Sequence, residues 1–112
     1  MTTITSCEQS EFKIIIHTST YDITIDIDDY QLCCEEIGTK TTFNDTFIGA
    51  EVTKVRWAFA KEADDTIYDG SATIIVETNR GNFDLTAWNN HNGYYPHDVR
   101  VSWENFHEEV KL

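Results

Sequence analysis

Residues 21–36 constrain this chain more than any other stretch. Ile23, Ile25 and Ile27 alternate with Thr24, Asp26 and Asp28. That period-2 pattern makes a strand with one apolar and one acidic face. The isoleucine side must be covered, so the fold is committed to a sheet with a buried face. The second half places Cys33 and Cys34 side by side, ahead of Glu35 and Glu36. No Lys or Arg lies between Lys13 and Lys40. Core strand, acidic face and thiols therefore share one anionic stretch.

The remaining segments repeat the strand pattern. Glu11 to Ile16 reads as a strand pairing antiparallel with Tyr21 to Asp28 across a short polar connection, His17 to Thr20. Met1 to Ser10, rich in Thr and Ser, reads as a frayed start or an edge segment. Asp28 to Tyr30 is expected to interrupt the pairing, with Gln31 to Glu36 continuing after a bulge. Gly38 to Thr42 is read as a turn. Asn44 is an N-cap ahead of Phe47-Ile48, with Gly49 as a stop, so at most one short helix is expected, between Asn44 and Gly49. Glu51 to Ala60 is a strand with Val55, Trp57 and Phe59 on one face. Lys61 to Gly70 is a charged loop ending in an Asp69-Gly70 turn pair. Ser71 to Thr78, Asn82 to Trp88 and Tyr94 to Trp103 are strands joined by Asn79-Arg80-Gly81 and Asn89 to Gly93. Asn105 to Leu112 is expected to add little core. Residues 1–112 thus predict one all-β domain, an antiparallel meander closing into a barrel or a sandwich.

Charge narrows the function. Twenty acidic residues against eight basic ones give a formal charge of −12. Direct binding to nucleic acid or to an anionic membrane is disfavoured, since both are polyanions. A basic protein surface is the complementary partner; solubility alone is the other reading of such a charge. Asp22, Asp26 and Asp28 on the strand, with Glu35 and Glu36 beyond it, are the candidate partner-binding residues. No basic-then-apolar leader and no bilayer-length apolar run is present, so a cytosolic monomer is expected.

The chemistry-bearing residues are few. Three cysteines in a cytosolic chain point to thiols or metal ligands rather than a bridge. Zinc favours S and N ligands in a tetrahedron. Cys33 and Cys34 with His91 and His97, which flank the Asn92-Gly93 turn, form the candidate set for a structural zinc ion. Neighbouring residues of a strand point to opposite faces, so both thiols reach one centre only if the backbone turns between or before them. Asp29, Glu35 or His17 would otherwise complete the set, with His107 a looser candidate. Buried thiols and solvated histidines are the alternative. The sequence has no Gly-x-Ser-x-Gly elbow, no phosphate loop and no His-Glu-x-x-His. Paired acids such as Asp64-Asp65 and Glu108-Glu109 read as solvated faces, so a non-enzyme is expected and a metal hydrolase ranks last.

Gln31-Leu-Cys-Cys-Glu35 resembles the Gln-Asp-Cys-Cys-Glu signature of a small family of phages and prophages. Phe47-Ile48-Gly49 leading to Ala50-Glu51, Thr78-Asn79-Arg80-Gly81 and Asn90-His91-Asn92-Gly93-Tyr94-Tyr95 are similar, in the same order, to its Leu-Ile-Gly, Thr-x-x-Gly and Ser-Asn-Gly-Tyr-Tyr stretches. The likeness runs from about Tyr21 to Trp103. Asp29 stands where the family often has His, and His91 where it has Ser, which puts a carried-over metal site in doubt. The resemblance implies a phage-encoded anti-CRISPR protein, a stoichiometric inhibitor of a type II effector nuclease in the cytoplasm of a bacterial host. It also implies a zinc-containing kind. A phage structural or accessory module is the alternative.

Overall fold

The computed structural model describes residues 1–28, 36–61, 69–90 and 98–112. Among them run nine strands: β1 (Ile4–Gln9), β2 (Lys13–Thr18), β3 (Asp22–Ile27), β4 (Glu36–Thr41), β5 (Val52–Lys61), β6 (Asp69–Thr78), β7 (Gly81–Asn90), β8 (Asp98–Trp103) and β9 (Phe106–Lys111). They form two antiparallel sheets, β1-β2-β3-β8-β9 and β4-β7-β6-β5, packed as a sandwich. The sheets do not close into a barrel. Nor is the topology a simple meander. The chain leaves the first sheet after β3, builds the second, and returns to lay β8 beside β3.

The isoleucine strand of the opening stretch is β3, central in its sheet. Ile16 pairs with Ile23, Ile14 with Ile25, Ile25 with Val101, and Ile27 with Val99. All seven side chains are buried. The second sheet answers with Ala72 opposite Ala87, Ile74 opposite Leu85, and Val76 opposite Phe83. β-branched residues suit this role because their side chains are stiff and pack well on a pleated surface.

Both ends of the sandwich are tied. At one end Ile4 crosses to the second sheet. Its N–H donates to the Ala50 carbonyl at 2.9 Å and its carbonyl accepts from Gly49 N–H at 2.8 Å, while Val52 N–H reaches the Thr2 carbonyl at 2.8 Å. At the other end the Thr39 hydroxyl donates to the Ser10 carbonyl at 2.8 Å, and Asn89 Nδ2 donates to the Leu112 carbonyl at 3.0 Å. The N-terminal stretch is thus an ordered edge strand.

The expected helical turn is present as a single 3-10 turn, Asp45–Phe47, with Asn44 Oδ1 accepting from Thr46 N–H and Gly49 at φ +88° ending it. Phe47 packs with Phe43 and Phe83, its ring centroid 4.8 Å from that of Phe83. No helix among the described residues is long and apolar enough to cross a membrane.

Four local readings are corrected. Gly38 to Thr41 is not a turn but the body of β4. Its glycine is a close approach: a Cβ there would lie 3.0 Å from Cζ2 of Trp88. Asp69-Gly70 opens β6 rather than turning the chain, because Asp69 and Gly70 pair with Asn90 and Asn89. A bulge between Trp57 and Phe59 breaks the alternation in β5, so Trp57 pairs with Ile74 but Phe59 with Thr73. Finally, the C-terminal segment does add core: β9 pairs along β8, Trp103 stacks on Phe106 with centroids 4.1 Å apart, and Leu112 is 3% exposed.

Candidate functional site

The outer face of the five-stranded sheet carries the strand acids. Because β3 alternates, Ile23, Ile25 and Ile27 turn inward and Asp22, Thr24 and Asp26 turn outward. The register then sets charges in rows. Lys13, Asp26, Arg100 and Glu109 lie side by side on β2, β3, β8 and β9. Glu8, Ile15, Thr24, Ser102 and His107 form the next row.

The face is therefore banded rather than uniformly acidic. Asp26 sits between two cations, and Arg100 Nε lies 3.4 Å from Glu109 Oε2. Partial burial pushes the Asp26 carboxyl up, and the attraction of Lys13 and Arg100 offsets only part of that. Asp22 is engaged by His17, whose Nδ1 lies 3.0 Å from Asp22 Oδ1 and whose Nε2 lies 2.9 Å from Glu8 Oε2. One imidazole thus bridges carboxylates on β1 and β3. Its pKa is raised, first by the hydrogen bond it makes to Glu8 and then by that to Asp22. Asp28 closes the end of β3: its Oδ2 accepts from Asp98 N–H at 2.8 Å. Glu36 begins β4, and Glu35 lies outside the described residues.

A shallow groove crosses this face, lined by Thr24, Asp26, Arg100, Ser102, His107 and Glu109 among others. The Thr24 and Ser102 hydroxyls are 2.6 Å apart and satisfy each other. No hydrogen bond joins Ser102 to His107, so the groove offers donors and acceptors without a nucleophile–base pair among the described residues.

Cys33, Cys34, His91, His97 and the fallback ligand Asp29 lie outside the described residues. The chain on either side of them is described. Glu36, two residues beyond Cys34, pairs with Asn90, the residue before His91, and Asn90 also pairs with Asp69. Asp28 and Asp98, which flank the other ends, are bonded to each other. Among the described residues no group of three His, Cys, Asp or Glu side chains could hold a metal. His17 has each ring nitrogen within hydrogen-bond distance of a carboxylate. The remaining thiol, Cys7, is half-buried on the inner face of β1, and burial, then the charge of Glu8, raises its pKa away from reactivity.

Sequence reasoning missed the cations of the acidic face. Lys13 sits on the strand expected to pair with that of Asp26, but Arg100 lies far along the chain, and only the strand order brings it there. It also missed Trp88 and Gly38, a pair on the outer face of the other sheet.

No curated protein and no solved structure matches this chain. A family described as Domain of unknown function (DUF7448) matches residues 2–101. That match spans β1 to β7 and reaches into β8, so the chain belongs to the DUF7448 family.

Proposed function

We propose that the chain is a non-catalytic protein-binding module that docks an acidic end on a basic surface of a partner. The observation that carries this reading is that the described residues flanking three acid-rich stretches of the sequence meet at one end of the sandwich. Residues 28–36, 61–69 and 90–98 contain four, four and one of the 20 acidic residues, and only one of the 8 cations, Lys61. Their described ends lie together, Asp28 beside Asp98 and Asn90 between Glu36 and Asp69. Such an end is drawn to a basic protein groove and repelled by nucleic acid.

The family resemblance supplies the finer reading: an anti-CRISPR inhibitor in the cytoplasm of a bacterial host. It would occupy the positively charged channel of a type II effector nuclease and block nucleic-acid loading or activation. Asp28, Glu35 and Glu36, with Asp26 one strand repeat away, contribute to the contact; Asp22, at the far end of β3 and held by His17, takes no part in it. A structural zinc ion on Cys33, Cys34, His91 and His97 would tie the first sheet crossing to the second, and its binding would add directly to folding stability.

Co-elution with a type II effector at about 0.1 M and about 0.5 M salt tests the partner. A complex that forms at low salt and weakens at high salt supports it; no binding to any type II effector at low salt removes it. Elemental analysis tests the metal. About one zinc per chain, with a Tm that falls on chelation, is expected. No bound metal, with an unchanged Tm in Cys33→Ser and Cys34→Ser, would sink the site. A second reading, a phage structural module, is favoured by the open sheet edges. It requires the chain to appear in purified virions.

A further inference from the structure

The outer face of the four-stranded sheet has no part in the acidic end, yet it is the more constructed surface. Trp88 on β7 pairs with Gly38 on β4 and Ser71 on β6, so all three share that face. Gly38 leaves room for the indole: Cζ2, Cε2 and Nε1 of Trp88 would lie 3.0, 3.2 and 3.3 Å from a Cβ at this position. The ring therefore lies across the backbone of the edge strand instead of standing off it. It is half-buried, with part of its surface open.

Beside the indole runs a groove whose lining includes Lys40, Thr42, Ser71, Thr73, Asp84 and Thr86. Thr86 is only 6% exposed although it points to the outside, so the face is recessed there. The Thr73 and Thr86 hydroxyls lie 3.0 Å apart. The Thr42 hydroxyl accepts from Asp84 N–H at 2.9 Å, which fixes the backbone that carries the Asp84 carboxylate. Among the described residues neither the Lys40 ammonium nor the Asp84 carboxylate has an ion partner. One cation, one anion and several hydroxyls thus surround the groove, and Trp88, which pairs with Ser71 and follows Thr86 by two residues, stands next to it on the same face.

This composition selects its ligand by elimination. An anion meets Asp84 and a chain of net charge −12. A cation meets Lys40. An apolar ligand would strand hydroxyls that now see water. A peptide strand adding to this sheet would pair along the border strand β4 and not over this face, because β6 and β7 are paired on both sides. A neutral polyhydroxyl ligand satisfies every group. Strands spaced about 4.8 Å apart present donors and acceptors at a separation close to the width of a pyranose ring, and the C–H face of a sugar packs on an indole as other apolar groups do. We infer that this face binds a neutral oligosaccharide, with Trp88 as the stacking surface and Asp84, Lys40 and the hydroxyls as hydrogen-bonding partners.

The test is an NMR titration of the full chain with maltohexaose, cellohexaose and N-acetylated chitohexaose, with a hyaluronan hexasaccharide as the charged control. At least one neutral sugar is expected to give saturable shifts at the Trp88 indole N–H and the amides of Thr73 and Thr86, with Kd of about 1 mM or tighter. Trp88→Ala should weaken that binding about tenfold or more, and Asp84→Asn severalfold. Should Trp88→Ala not fold, Asp84→Asn and Ser71→Val carry the comparison. No saturable shift with any neutral sugar at about 10 mM, shifts away from this face, or binding of hyaluronan alone would overturn the inference.

Discussion

His17 shows how one side chain can make a sheet respond to pH. Its two ring nitrogens face Glu8 and Asp22, and both donate only when the ring is protonated. Because its folded pKa is raised, the stabilisation is complete below the unfolded value near 6.5 and fades as pH rises through the folded value. His17→Gln is expected to flatten the decline of Tm with rising pH in that window, and NMR titration of the imidazole should place its midpoint above the ordinary one. Asp26 runs in the same direction with pH, for a different reason. Its carboxyl is raised by burial, so ionisation costs stability at neutral pH. Asp26→Asn is expected to raise Tm near pH 7 and to lose that advantage below the ordinary carboxylate range, where the native residue is protonated. An unchanged Tm at pH 7 would show that Lys13 and Arg100 fully offset the burial.

At the scale of the elements, β4 depends on its one glycine. Gly38→Ala places a Cβ against the Trp88 ring, which must shift. A loss of about 1–2 kcal/mol in chemical denaturation is expected, with a change in tryptophan fluorescence as the indole lifts. The same residue shows why β4 could not be read from sequence. A glycine among polar residues signals a turn, and only the ring across the sheet explains its presence in a strand. Asp69-Gly70 misled for the same reason. By contrast β3, β7 and β8 were legible from an alternation that one buried face demands, and β2 and β6 from their β-branched runs. The 3-10 turn was legible from Asn44 and Gly49 alone. β9 was not: Phe106 and Val110 have polar neighbours, and their burial depends on Trp103 and the rest of the inner face. The candidate acids could be assigned to one face by parity, but Arg100 could not be set beside them, because sheet order is a long-range property.

For the whole molecule, the short crossing at Thr2 to Ile4 matters out of proportion to its length. It supplies three backbone hydrogen bonds between the sheets and one side chain that is 1% exposed. Removing residues 1–4 is expected to cost roughly 3–5 kcal/mol in urea unfolding, a large share of the stability of a domain this size. A loss below about 1 kcal/mol would mean that the sheets hold together without it. The open architecture has a further consequence. Among the described residues four border strands, β1, β9, β4 and β5, have a strand neighbour on one side only, so their outer backbone groups can pair with another copy. Mutual repulsion among highly charged copies opposes such pairing at neutral pH. That repulsion vanishes near the isoelectric point of about 4.4, where light scattering should find colloidal clusters forming while the fold persists, and dissolving again as the pH is raised.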